Sequence, residues 1–248
     1  LREYRRQVQM VFQDSYSSLN PRLTVLDSIA FGPQVHGVSA GQAKARAEDF
    51  MQRVGLDPSR FGERYPHELS GGQRQRVNIA RALSLQPRVI ILDEAVSALD
   101  KSVEAQVINL LMDLKDSLGL TYLFISHDLH VVRYISDRVL VMYLGEVVET
   151  GPAETLFKAP AHPYTAALLS SMPSMDPDHR TEEAPLSGDP PNPINPPSGC
   201  RFHTRCKYQA SMCQQSAPSL VPIQQQAEHQ AACFLHHPRS RHPQAIKP

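Results

Sequence analysis

The sequence predicts an α/β fold, a mostly parallel sheet covered by helices, and three observations lead there. The run Val89-Ile90-Ile91-Leu92 follows Pro87, reads as a strand buried on both faces, and ends on Asp93 and Glu94. Val103, Val107, Leu110, Leu111, Leu114 and Leu118 keep a helical period that Gly119 closes, and residues 121–126 follow as another buried strand. Ahead of both, Gly71 and Gly72 make a turn into a basic helix opening at about Gln73. A strand–helix–strand order of this kind belongs to parallel sheets with crossover helices.

Taken from the N-terminus, residues 5–12 read as a strand, and Gln13 stands at its end before the turn-rich stretch 14–21. A glutamine there could reach a metal ion or an attacking water, although most such glutamines are ordinary surface residues. Residues 39–54 form a helix: Ser39 can cap it, Ala43, Ala47, Phe50, Met51 and Val54 share one face, and Gly55 can end it. That stripe is core and carries no chemistry.

In the stretch 69–100, Gly71 and Gly72 allow close backbone approach to a ligand. The following helix start, with the Ser70 hydroxyl nearby, favours an anion, and a phosphate fits best. Asp93 and Glu94 lie at the carboxyl end of their strand, where α/β folds bind ligands; one carboxylate can hold magnesium while the other polarises a water. His127 ends the strand 121–126, a position where an imidazole is more often structural than catalytic. Residues 138–150 read as two strands turning at Leu144-Gly145.

Lys plus Arg and Asp plus Glu both count 25, a balance that gives no support to a nucleic-acid surface, and the basic patch at Arg74 and Arg76 is too small to revive one. The longest unbroken apolar run is 139–144, far short of the roughly 20 residues a membrane helix needs, so any membrane association goes through a partner protein. No signal peptide is visible, and a chain opening on Leu1 reads as beginning inside a longer protein. Five prolines precede Gly151 and sixteen follow it, and all four cysteines lie between 200 and 233, so two regions of different physics are expected.

The motifs carry a resemblance. LSGGQ at 69–73, VIILDE at 89–94 and SALD at 97–100 resemble the signature, Walker B and D-loop of ABC-transporter ATPases, in the right order and spacing. The resemblance makes Gln13 the Q-loop glutamine, which also faces the membrane subunits, and FISHD the H-loop, whose His127 contacts the terminal phosphate and orients the catalytic carboxylate and water. It implies Glu94 and His127 as catalytic residues, Ser70, Gly71, Gly72, Gln73, Asp93, Gln13 and Asp100 around ATP, and Asp93 with Gln13 on Mg2+. Ala95 stands where family members commonly have proline, a change that frees the backbone and removes no ligand.

None of the twelve glycines is followed by lysine, so the GxxxxGK[ST] phosphate loop of the family is not among these residues. The expectation is truncation of an N-terminal portion, a chain hydrolytically dead alone, and an active longer parent. Family cassettes pair head to tail, so Ser70, Gly71 and Gly72 could still complete a partner's site.

The second region narrows the family. Residues 154–157, His162-Pro163-Tyr164-Thr165 with the helical 166–169, and the proline-rich 185–197 leading into SGCRFHTRC resemble the C-terminal extension of oligopeptide and dipeptide importer ATPases. The proline-rich stretch is physically an extended, semi-rigid linker. The expected division is a partial cassette at 1–151, an extension and linker at 152–199, and a four-cysteine tail at 200–248.

Cys200, Cys206, Cys213 and Cys233, separated by five, six and nineteen residues, could hold tetrahedral zinc or an iron–sulfur cluster, or stay free or disulfide-linked. The spacing lacks CxxC pairs, and the resemblance favours a [4Fe–4S] cluster over zinc; His203, His229, His236 and His237 keep a mixed zinc site open.

The resemblance thus implies an ATP-hydrolysing subunit of a peptide importer on the cytoplasmic face of the inner membrane. Its partners would be a second ATPase, more often a paralogue than a copy, two permease subunits and, indirectly, an extracytoplasmic peptide-binding protein. The alternative is a non-catalytic cassette that lends only its signature to a paralogue. A soluble relative acting on ribosomes or DNA fits neither the neutral charge nor the tail.

Overall fold

The computed structural model describes residues 1–173, 188–223, 226–237 and 240–246; the opening of the proline-rich stretch, 185–187, lies outside them. The chain divides into two compact units, Leu1–Ile135 and Ser136–Pro248.

The first unit begins with helix α1 (Arg2–Gln7), and strand β1 covers only Val8–Val11. The strand expected from residue 5 therefore starts three residues later. Glu3, Arg5, Arg6 and Gln7 are good helix formers without apolar alternation, and Gln7 Nε2 donates to Glu3 Oε1 at 2.8 Å one turn back.

Four helices follow: α2 (Val25–Val35), α3 (Ala40–Arg53), α4 (Pro58–Phe61) and α5 (Gly71–Leu83). The Ser39 side chain caps α3 by accepting from Gln42 N, and Ala43, Ala47, Phe50 and Met51 are its buried face. These residues join Ile29 of α2 with Ile79 and Leu83 of α5 in one core. Strand β2 (Val89–Asp93), helix α6 (Lys101–Leu118), strand β3 (Thr121–Ile125) and helix α7 (Leu129–Ile135) complete the unit. Gly119 ends α6 in the left-handed conformation at φ +62°, which a residue without Cβ adopts at no steric cost.

The strands form a parallel sheet in the order β1-β2-β3, with Val8 opposite Val89 and Val89 opposite Thr121. In this register Gln13, Asp93–Glu94 and Ser126–His127 all leave the carboxyl edge of the sheet together.

The second unit holds strands β4 (Arg138–Tyr143) and β5 (Glu146–Pro152), helices α8 (Ala153–Lys158), α9 (Pro163–Ser170) and α10 (Ser211–Gln215), and strands β6 (Val221–Ile223) and β7 (Gln226–Ala231). The Leu144-Gly145 turn between β4 and β5 has φ of +48° and +81°, the positive pair of a type I′ hairpin. The sheet is antiparallel in the order β4-β5-β7-β6, so the cysteine-containing tail is built onto the hairpin through β7. Tyr143, Tyr164 and Phe202 pack as an aromatic cluster over this sheet, with the Tyr143 and Phe202 rings edge-on at 5.2 Å. Among the described residues no helix is long and apolar enough to cross a membrane.

Candidate active site

The carboxyl edge of the parallel sheet gathers three side chains that lie far apart in sequence. Glu94 follows the last residue of β2, and its N–H donates to Ile125 O at 2.9 Å, fixing it against the end of β3. Its φ of +46° is left-handed, an uncommon and strained conformation for a glutamate. Two hydrogen bonds from Ser97 hold the Glu94 carbonyl, from N at 3.1 Å and Oγ at 2.9 Å.

The carboxylate so aimed is grasped on both oxygens: Gln13 Nε2 donates to Oε2 at 2.7 Å, and His127 Nδ1 lies 3.2 Å from Oε1. Gln13 Nε2 also reaches Ser97 Oγ at 3.4 Å. The histidine side chain is 71% exposed and Glu94 30%, so the cluster opens to solvent and can admit a ligand. Turning Nδ1 toward the carboxylate leaves Nε2 on the far side of the ring, where an oxyanion could meet it. Asp93, half-buried at the tip of β2, stands directly beside this cluster in the chain.

The anion-facing element is the start of α5. Ser70 is its N-cap: Oγ accepts from Gln73 N at 3.3 Å while Gln73 Oε1 accepts from Ser70 N at 2.9 Å, a reciprocal capping box. The hydroxyl and the glutamine amide are thus partly spent on the helix itself. The N–H groups of Gly71 and Gly72, in the first turn, have no intrahelical acceptor and are the groups left to meet an anion. Gly72 has a second reason to lack a side chain: a Cβ there would lie 2.5 Å from Val103 Cγ1, so the helix start packs directly onto α6.

Asp100 caps α6, accepting from Val103 N at 2.9 Å. Next to it, Lys101 Nζ bridges Glu104 at 3.0 Å and Asp128 at 2.8 Å. Asp128 in turn accepts from the N–H groups of His130 and Val131, so one ion pair ties the start of α6 to the loop carrying His127. These contacts hold the Asp128 carboxyl below the usual carboxylate range, the Lys101 hydrogen bond being the main cause.

Of the residues singled out from sequence, the fold brings Gln13, Glu94 and His127 into contact, sets Asp93 beside them, and puts Ser70, Gly71, Gly72 and Gln73 on one helix start packed against the Asp100 segment. Ser97 and the Lys101–Asp128 pair were missed. The SALD motif pointed at the first, whereas nothing in the sequence joins residues 101 and 128.

The iron–sulfur or zinc expectation for Cys200, Cys206, Cys213 and Cys233 is overturned. Among the described residues, no group of three or more His, Cys, Asp or Glu side chains is arranged to hold a metal ion. All four cysteines are free, and they line one small cavity with Phe202 and Leu235. Burial pushes the Cys200 thiol up to about 11 and the Cys233 thiol up to about 12, and raises Cys206 as well. Burial thus keeps these thiols protonated, as for buried structural cysteines. Three of the four histidines considered as extra ligands serve the backbone or a carboxylate: His203 Nδ1 lies 2.8 Å from Cys200 O, His236 Nε2 2.9 Å from Ala161 O, and His229 Nε2 2.7 Å from Glu149, while the ring of His237 packs against Phe234.

Comparison with known proteins bears on this geometry. Residues 1–97 match the ABC transporter family, and residues 148–213 match the family described as oligopeptide/dipeptide transporter, C-terminal region. The chain is 53% identical over 224 residues to the probable peptide ABC transporter ATP-binding protein y4tS of Sinorhizobium fredii, covering 90% of this chain and 63% of that protein. It is 51% identical to a putative peptide import ATP-binding protein of Brucella ovis, over 90% of this chain and 70% of the relative. With the di/tripeptide transport ATP-binding protein DppF of Pseudomonas aeruginosa it shares 47% identity over 94% of this chain and 73% of that protein. The chain thus spans between 63% and 73% of the length of these three relatives. Among solved structures, cbiO1 of Clostridium perfringens, part of the ABC transporter complex cbiONQ, superposes with a TM-score of 0.58 at 29% identity, over 63% of this chain and 61% of that one.

Proposed function

Since the chain belongs to the ATP-binding proteins of peptide ABC transporters, we propose that it is the part of a peptide importer's ATPase that activates the attacking water. The observation that carries this reading is the Glu94 carboxylate held between Gln13 and His127 at the open carboxyl edge of the sheet.

In this reading Glu94 accepts a hydrogen bond from the water and polarises it, its carboxylate aimed by the left-handed backbone. His127, on the other oxygen, orients the carboxylate and offers its far nitrogen to the terminal phosphate. The donor set at this edge fits a hard, hydrated cation with a polyphosphate: Asp93 and Gln13 would hold Mg2+ there, while Ser70, Gly71 and Gly72, with Gln73 and Asp100 beside them, would face the nucleotide held by a head-to-tail partner cassette. Bound MgATP would supply the phosphoanhydride bond and the positive charge that neutralises its oxygens. The phosphate loop is not among these residues, so what they supply is the carboxylate cluster and the signature helix.

The partners proposed are a second ATPase subunit, a paralogue rather than a copy, two permease subunits and, through them, an extracytoplasmic peptide-binding protein. The protein would sit peripherally on the cytoplasmic face of the inner membrane. Residues 1–151 act as the cassette, 152–199 as extension and linker, and 200–248 as a structural tail.

The test is ATP turnover by this 248-residue chain beside a longer form that includes a GxxxxGK[ST] segment. Turnover confined to the longer form is expected; equal turnover by both would sink the assignment of roles.

A further inference from the structure

The basic stripe on α5 is left unused by the site above. Arg74, Asn78 and Arg81 stand at successive turns of one helix face. All three reach the loop that follows Gln13. The Arg74 guanidinium lies 5.5 Å from the centre of the Tyr16 ring and attracts the Asp14 carboxylate. Asn78, only 1% exposed, donates from Nδ2 to Ser15 O at 3.0 Å. Arg81, half-buried, donates to the carbonyl of Ser18.

The loop itself is wound around Asp14. One carboxylate oxygen accepts from Tyr16 N at 2.9 Å and Ser17 N at 3.0 Å, and the Asp14 carbonyl accepts from Ser18 N. It is a compact turn fastened to α5 at three points. Gln13 lies immediately before it, with its amide on Glu94. The same helix begins at Ser70–Gly72.

We propose that Arg74, Asn78 and Arg81 are positioning residues that make the signature helix and the Gln13 loop one moving body, so that a shift at the anion-facing start of α5 alters Gln13's hold on Glu94. The chemistry suits that role. Asn78 and Arg81 grip main-chain carbonyls, a contact that survives side-chain changes in the loop and costs heavily to break. It also accounts for the basic residues of this helix, which are spent inside the unit; Arg76 likewise donates to Val54 O at 2.7 Å. The catalytic consequence rests on the function proposed above, whereas the anchoring does not.

Two measurements separate them. In the 248-residue chain, amide hydrogen exchange is followed for the wild type, Arg81→Met, Arg81→Lys and Asn78→Ala with Arg81→Met. The double variant should speed exchange at Ser18 and Leu19 by more than about tenfold, leave α5 amides within about twofold, and be partly restored where lysine keeps a donor. Unchanged loop exchange, or equal loosening of α5, overturns the anchoring.

In the longer ATPase assembled with its permease subunits, Arg81→Met should lower kcat about tenfold with KM for ATP within about twofold, and Arg81→Lys should recover much of kcat. A change in KM alone, or no change, overturns the positioning role. A wild-type complex that does not hydrolyse ATP removes the functional premise instead and leaves the exchange result to decide the anchoring.

Discussion

Each unit contains a glutamate–histidine pair, and the two pairs are opposites. Glu94 and His127 meet at 3.2 Å on an open edge, 30% and 71% exposed, with the glutamate in a strained left-handed backbone. Glu149 and His229 meet at 2.7 Å, 0% and 3% exposed, and the remaining carboxylate valence is taken by the N–H groups of Ala161 and His162 at 2.8 Å each. The second pair is fully satisfied and dry, so it can only hold β5, β7 and the start of α9 together. The first has accessible surface and a carboxylate steered by side chains alone, which is what a group that must meet a ligand requires. Identity of residues does not distinguish them; burial and the source of the hydrogen bonds do.

The largest effect expected in separating the pairs is on stability. Glu149→Ala strips two buried donors and one half-buried donor of their acceptor and should cost about 3–5 kcal/mol in denaturant unfolding, while Glu94→Ala should cost under about 1 kcal/mol. Equal costs would erase the distinction.

Between pH 6.5 and 4, acid should bear on the buried side. Burial lowers His162 from 6.5 to about 4 in the folded chain, so between those values the unfolded state binds the proton that the native state refuses. Stability contributed by a neutral His162 is therefore present above about pH 6.5 and falls as pH drops toward 4, by about 3 kcal/mol in full. Unfolding curves at stepped pH should show this slope. His162→Asn, which can still accept from Tyr164 N as the cap of α9, should flatten it.

On the open side, His127→Ala should lower kcat of the turnover-competent longer form by about 100-fold, with unfolding unchanged. A loss of stability matching that of Glu149→Ala would place His127 with the structural histidines.

The smallest effect concerns the helix start at Gly72. Gly72→Ala sets a methyl group against the β-branched Val103 and should destabilise the first unit by about 1–3 kcal/mol, measured by unfolding. A neutral result would mean that Gly72 serves only backbone approach to an anion.

Local periodicity made much of the fold legible: the 39–54 and 101–118 helices, the apolar strands and the positive-φ turn at Leu144-Gly145 are all where residue spacing put them. The start of β1 was misplaced because Arg2–Gln7 has helix propensity and no alternation. Gln13, Glu94 and His127 each sit at a strand end, and parallel register delivers strand ends to one edge; the resemblance singled out Gln13 and His127, since a strand-end glutamine or histidine alone reads as ordinary.

What stayed hidden was long-range and specific to packing. The Glu149–His229 pair spans 80 residues, the anchoring of Ser15 and Ser18 by Asn78 and Arg81 spans 63, and neither leaves a local pattern. The cysteines misled for a related reason: spacing counts thiols, but the fold decides whether they are arranged around a common point, and among the described residues they are not.

The most direct test of the central claim is Glu94→Gln in the longer, turnover-competent form, with ATP binding and ATP cleavage measured on the same sample. Glutamine keeps the size and one acceptor but loses the charge that polarises water. The account predicts undiminished ATP binding and cleavage slowed by about a thousandfold. Cleavage at the wild-type rate would show that Glu94, however well it is held by Gln13 and His127, is not the group that activates the water.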